Sequence, residues 1–295
     1  MSKRAMPGKV GTGFPSGIAG QEAMPGKVGT GFPSGIASSG QAPRQRLRPW
    51  RSLARGALLM SGLWLAGAAA AQEITAARYE GPTKRYPHGV LGDEIEYTGL
   101  AVTLSDGRVL RATWERDVVF EDTEPRLADL DGDGSPEVIV VESHETRGAR
   151  LAIWGMVSGN LAPIAATPFI GTRFRWLAPL GAADLDGDGV MELAYVDRPH
   201  LAKTLRIWRY EARGQTVRLR EVASLKGVTN HRIGEVDIAG GMRDCGQGPE
   251  MIVADSAWRE VLALRYDGSE ISRQSLGPHR GRQSFARAML CQTLG

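Results

Sequence analysis

The sequence predicts an all-β fold built by repeating one strand unit, and three observations predict it. A nine-residue acidic loop occurs twice, as Asp129-Leu-Asp131-Gly-Asp133-Gly-Ser135-Pro-Glu137 and as Asp184-Leu-Asp186-Gly-Asp188-Gly-Val190-Met-Glu192. The segments that leave these loops, Glu137-Val-Ile-Val-Val141 and Glu192-Leu-Ala-Tyr-Val196, are rich in strand-favouring residues. No long segment carries the 3.6-residue apolar period of a helix.

Taken in order, the chain opens on a stretch that cannot bury a core. Ala5 to Ala19 recurs unchanged as Ala23 to Ala37, rich in Gly and Pro and poor in apolar mass. Residues 1–43 are therefore read as a low-complexity tandem repeat, disordered or lying upstream of the true start. Residues 44–71 read as a signal peptide: a basic stretch from Arg44 to Arg55, an apolar run from Gly56 to Ala71, and Ala69-Ala-Ala71 before Gln72. The apolar run of 16 residues falls short of the roughly 20 that a spanning helix needs. The expectation is an exported protein, periplasmic or secreted after cleavage near Ala71/Gln72, with no membrane span in the mature chain.

This front end also distorts the charge. It holds nine of the 36 Lys and Arg residues but one of the 33 acids, which leaves residues 72–295 at a net −5. The basic pI therefore gives no support to a nucleic-acid partner.

Residues 72–295 read as one repeat domain. A first strand is expected at 74–79, then a hairpin over 100–114 turning at Asp106-Gly107. Strands come after the first acidic loop near 137–142, 149–156 and 161–166, and after the second near 192–197, 205–210 and 217–222. A third unit offers 251–254, 260–266 and 270–274, with another Asp-Gly turn at Asp267-Gly268. Asp129 to Asp184 spans 55 residues and Asp184 to Asp237 spans 53, while Trp154 and Trp208 stand at matching places. Two tryptophans so placed are read as packing between units. The third unit carries Asp237-Ile-Ala-Gly-Gly-Met-Arg-Asp244 where the acid triplet should stand, so no cation is expected there. Pro87-His88 through Glu96 and Asn230-His231 through Asp237 echo one another and suggest a degenerate unit at each end. The first strand could then pair into the last unit and leave fewer bare edges.

The acidic loops carry the clearest chemistry. Carboxylates at alternate positions, with another acid at position 9, converge on a hard cation, and the carbonyl of residue 7 joins them. The candidate ligands are Asp129, Asp131, Asp133, Ser135 and Glu137 in one loop, and Asp184, Asp186, Asp188, Val190 and Glu192 in the other. Gly134 and Gly189 stand where such a loop turns sharply. Two structural calcium ions are expected, since calcium accepts six to eight oxygens flexibly. Plain Asp-Gly turns would explain the glycines, but acids packed this closely repel one another unless a cation or open water intervenes. An EF-hand needs a glutamate at position 12, where Val140 and Tyr195 stand. Cys245 and Cys291, the chain's two cysteines, most simply pair in an exported protein, with two buried thiols as the alternative.

The frames Leu127-Ala-Asp-Leu-Asp-Gly-Asp-Gly-Ser-Pro-Glu-Val-Ile-Val and Ala182-Ala-Asp-Leu-Asp-Gly-Asp-Gly-Val-Met-Glu-Leu-Ala-Tyr resemble FG-GAP/VCBS repeats, the calcium-loop repeats of integrin-type β-propellers. The resemblance implies a β-propeller-like array of about four blades, each of about four strands, with an ion stapling the loop between the first two. It does not imply one function.

Two functions from different classes stay open. The motifs G-x-S-x-G, H-E-x-x-H and C-x-x-C are absent, so no catalytic residue is assigned. The favoured reading is a non-catalytic scaffold presenting loops to a protein or glycan partner. The alternative is a hydrolase or lyase using loop histidines (His88, His144, His200, His231) and loop arginines (Arg147, Arg173, Arg175, Arg198, Arg232).

Overall fold

A computed structural model describes residues 73–295 apart from Gln215, and the tandem repeat and signal peptide expected before them lie outside the described residues. The fold is all-β, in three antiparallel sheets. The first contains β1 (Ile74–Thr83), β2 (Glu96–Leu104), β3 (Val109–Thr113), β4 (Val118–Phe120), β5 (Arg126–Ala128), β6 (Glu137–His144), β7 (Gly148–Val157) and β8 (Asn160–Ala166). Its order is β1-β2-β4-β6-β7-β8, with β3 added to β2 and β5 to β6. The second is a four-stranded meander of β9 (Leu177–Ala183), β10 (Glu192–Asp197), β11 (Thr204–Arg213) and β12 (Thr216–Lys226). The third orders β13 (Val228–Thr229), β15 (Pro249–Asp255), β16 (Glu260–Tyr266) and β17 (Ile271–Pro278), with β14 (Gly241–Asp244) also on β15. A helix, α1 (Arg282–Met289), ends the described fold.

The central strands are apolar on both faces, and that alone dictates stacking. Along β6, Val138 and Val140 pack toward Leu100, Val102 and Phe120, while Ile139 and Val141 pack toward the second sheet. Along β10, Leu193 and Tyr195 meet the first sheet, and Ala194 and Val196 meet the third. Along β15, Met251 and Val253 face the second sheet. Successive side chains of a strand point to opposite faces, so each alternation feeds two interfaces. Trp154 sits in the first interface, edge-on to Trp114 and Phe120, and Trp208 in the next, stacked near Tyr195. Both tryptophans pack between units, as their spacing suggests.

The outermost faces are handled differently at the two ends. The far face of β15 and β16 (Ile252, Ala254, Val261, Ala263) is covered by Phe285 and Ala288 of α1. Eight residues give too short a period to read as a helix in the sequence. The first strand also departs from expectation. β1 runs antiparallel to β2, from Ile74 opposite Leu104 to Thr83 opposite Glu96, and so joins the first sheet rather than the last. Its adjacent partner is nine residues of largely buried chain, which outcompetes a distant edge because less loop must be closed.

Two inner strands are interrupted, and the interruptions build the loops that matter. β4 pairs with the end of β6 and β5 with its start, leaving residues 121–125 outside the ladder. β13 and β14 flank β15 in the same way around residues 230–240.

Candidate cation loops and a histidine-lined pocket

Each acidic loop is tied down by its own backbone. Asp129 takes N–H bonds from Gly132 (2.8 Å) and Gly134 (3.1 Å), Asp131 from Asp133 (3.2 Å), and Asp133 from Ser135 (2.7 Å). Glu137, at the start of β6, accepts from the Leu130 N–H at 2.9 Å. The second loop repeats this set: Asp184 accepts from Gly187 and Gly189, Asp186 from Asp188, Asp188 from Val190, and Glu192 from Leu185. Gly134 and Gly189 both take φ of +87°, which explains glycine at those turns.

The geometry gathers three carboxylates per loop. Asp129, Asp131 and Glu137 each bring an oxygen within 4.8 Å of the others, and so do Asp184, Asp186 and Glu192. These clusters could hold a metal ion, and their all-oxygen donors suit a hard one. Asp133 and Asp188 lie outside those close groups, and Asp133 lines the neighbouring cleft with Ser135. That cleft, about 390 Å³, is closed on its far side by Tyr210 and Val217 of the second sheet. Glu137 is 8 % exposed, and burial pushes its carboxyl up to about 7, with Asp131, Asp133 and Asp129 adding to the rise.

The second loop differs in one respect. Arg209, opposite Glu192 in the β10–β11 ladder, donates to Glu192 at 2.8 Å, to Asp186 at 3.1 Å and to Asp188 at 2.5 Å. Burial still raises Glu192, but Leu185 N–H and Arg209 oppose the rise.

The third unit corrects the alignment expected for it. The turn matching the acidic loops is Asp244-Cys-Gly-Gln-Gly248, between β14 and β15, not 237–244. Insertion of residues 230–240 displaces it, which single-spacing comparison cannot detect. Cys245 of this turn is disulfide-bonded to Cys291 beyond α1. Asp237, which the spacing aligns with Asp129, instead pairs with Arg282 at 2.6 Å.

At the opposite end of the strands lies a second constellation. Loops 88–90, 174–176, 198–201 and 233 enclose a cavity of about 270 Å³, lined by His88, Phe174, Trp176 and His200 with Arg175 and Arg198. The two echoing segments meet here, since the Gly234 N–H donates to the Val90 carbonyl at 3.0 Å. His88 Nδ1 lies 2.5 Å from Glu121, a fully buried acid that also accepts from the Ser143 hydroxyl. Burial raises Glu121, and His88 and Ser143 partly offset it. Glu121 comes from the break between β4 and β5, and its carbonyl accepts the Trp176 indole N–H at 2.8 Å.

His200 and His231 form a relay. His231 Nε2 lies 2.9 Å from the Glu235 carbonyl, which can only accept, so that nitrogen carries the proton. His231 Nδ1 therefore accepts from His200 Nε2 at 3.0 Å, and His200 Nδ1 is left unprotonated. Burial and the neighbouring His231 push His200 down to about 4. Of the sequence candidates, His88, His200, Arg175 and Arg198 line the cavity, with His231 behind. His144 packs on Phe169 instead, Arg147 lies over that same ring, and Arg232 lies over Trp258. Arg173 bridges Glu145 at 3.4 Å and covers Phe174. Glu121, Trp176 and Arg209 are not legible as site residues, although Trp208-Arg209-Tyr210 and Leu264-Arg265-Tyr266 repeat a visible frame.

The two acidic clusters fall inside one family match. Residues 129–195, from the first Asp of one loop through the strand after the other, match the family model described as FG-GAP-like repeat. Residues 129–195 are thus similar to an FG-GAP-type repeat. No curated protein matches the chain. The matched stretch spans both acidic clusters and strands that meet at the interface between the first two sheets. Among the described residues, no helix is long and apolar enough to cross a membrane.

Proposed function

We propose that the chain is an exported, calcium-stabilised scaffold of β-propeller type that performs no chemistry and binds a protein or glycan partner through the loops around His88 and His200. One observation carries this reading. Four separate loops converge on an aromatic and imidazole-walled cavity at one end of the strands, while the carboxylates gather at the other. Phe174 and Trp176 offer apolar ring surface, and Arg175 at the rim offers a fork for a carboxylate or sulfate. The all-oxygen loops support structural calcium, and a disulfide suits an oxidising compartment.

The test is a panel of acidic and neutral glycans and peptides against the pure chain. Binding that falls at least tenfold in Arg175→Ala and His200→Ala is expected. A second reading has its own support, because His88 held by buried Glu121 beside an unprotonated His200 nitrogen is the layout of a general base. Turnover of a glycoside, ester or uronate substrate that His88→Gln abolishes would establish that reading instead.

A further inference from the structure

Three glutamates occupy one register position in the three sheets, and the residues facing them differ. Glu137 pairs with Ala128 and faces Gly155, Glu192 pairs with Ala183 and Arg209, and Glu250 pairs with Arg243 and faces Arg265. Each glutamate is buried, at 8 %, 0 % and 3 % exposure. A buried carboxylate needs a countercharge. Glu250 receives two, from Arg243 at 2.6 Å and Arg265 at 3.1 Å. Glu192 receives one, Arg209 at 2.8 Å. Glu137 receives none among the described residues, and a glycine, which brings no side chain, stands opposite it.

The oxygens repeat the contrast atom by atom. In the first loop, Asp131 Oδ2, Asp133 Oδ2 and Glu137 Oε1 have no N–H donor among the described residues, while the partner oxygen of each takes a backbone N–H. In the second loop the three equivalent oxygens are the ones Arg209 engages. The guanidinium is 19 % exposed and stands where a metal would have to sit. A divalent ion there would have to displace it or share its oxygens against like-charge repulsion.

We infer that Arg209 is the resident cation of the second acidic loop, so that the chain takes one divalent ion, at Asp129–Glu137, and not two. This rests on the calcium reading proposed above and narrows it.

The experiment is calcium titration calorimetry on the full chain, with terbium luminescence as a second readout. One ion per chain is expected for the wild type, two for Arg209→Gly, and none for Gly155→Arg. The last variant should fold, because the Gly155 backbone is not left-handed and a Cβ there meets the flexible tip of Ile164 at 3.3 Å, with Glu137 Cγ at 3.6 Å and Ile164 Cγ2 at 3.8 Å in ordinary contact. Two ions bound to the wild type overturn the inference and leave the calcium reading standing. One ion per wild-type chain that Asp186→Ala removes and Asp131→Ala spares also overturns it. No ion in either the wild type or Arg209→Gly overturns the calcium reading itself, and the inference with it.

Discussion

The two ends of the central strands solve different problems in different ways. At the start of β6, β10 and β15 stands a buried glutamate, and each sheet supplies a local answer: an open acidic loop, one arginine, or two arginines with a disulfide alongside. At the other end, no unit resembles the next. Glu121 comes from a strand break, Trp176 from a linker, His200 from a turn, and His231 from an insertion of eleven residues. Repetition conserves architecture at the first end. Irregular insertions build a cavity at the second. A fold of this kind keeps its scaffold in what repeats and its specificity in what does not.

The largest effect that would sharpen the comparison concerns the third sheet, whose turn lacks the acid triplet and is held covalently. Cys245 and Cys291 are 46 residues apart. Cutting that loop with Cys245→Ser/Cys291→Ser should cost about 3–4 kcal/mol. For a domain this size that lowers the thermal midpoint by roughly 6–16 °C. The loss should be the same with and without calcium. A calcium-dependent loss would mean that the staples are coupled, and the independence of the three units would fail.

Next in size is the first loop. At about 10 mM calcium, a site with a dissociation constant near 10⁻⁴ M stabilises by roughly 2–3 kcal/mol. Thermal unfolding in EGTA and in calcium should differ by about 4–12 °C in the wild type, and by almost nothing in Asp131→Ala. Asp186→Ala should keep most of the calcium shift while lowering the midpoint in EGTA, since it strips Arg209 of a partner. Loss of the shift in Asp186→Ala would put the two loops back on an equal footing.

Legibility in the sequence divides along the same line. The strands after each acidic loop, both Asp-Gly hairpins, the cysteine pair and the packing tryptophans all lie in repeated or locally punctuated stretches, where pattern maps onto structure. The inner strands carry no such pattern. β5 is Arg-Leu-Ala and β9 is Leu-Ala-Pro-Leu-Gly-Ala-Ala, short or Gly- and Pro-bearing segments that become strands because a neighbour's edge needs pairing. The third unit misaligns because 53-residue spacing points to Asp237, whereas an insertion carries the true turn to 244–248. Arg209 escapes the sequence for a different reason. It lies 17 residues after Glu192, and only the β10–β11 register brings the two together. The histidine cluster is half visible: His200 and His231 are candidates, but no sequence rule separates them from His144.

The smallest effect probes the cavity end, where the sign of the pH dependence is fixed by which state holds the proton. His200 is driven down to about 4 in the fold, by burial first and by His231 second, while an unfolded histidine titrates near 6.5. Between those values the unfolded chain binds the proton that the folded chain refuses, so stability is full above about pH 6.5 and declines toward pH 4. His231 is shifted the same way by burial and adds to the decline. Solvent reaches the cavity, so the contribution of His200 is roughly 1–2 kcal/mol rather than the full linkage value of its shift. Glu137 acts in the opposite sense, because a carboxyl raised to about 7 takes up a proton in the folded state as pH falls and so gains stability. The two are separated by measuring the difference between the wild type and His200→Gln, whose amide keeps a donor for His231 without titrating. With saturating calcium, that difference should be flat above pH 7 and open steadily below 6.5, the variant losing less stability than the wild type. Parallel curves down to pH 4.5 would mean that His200 takes up its proton in the fold as readily as in the unfolded chain, and that burial and His231 do not hold it neutral.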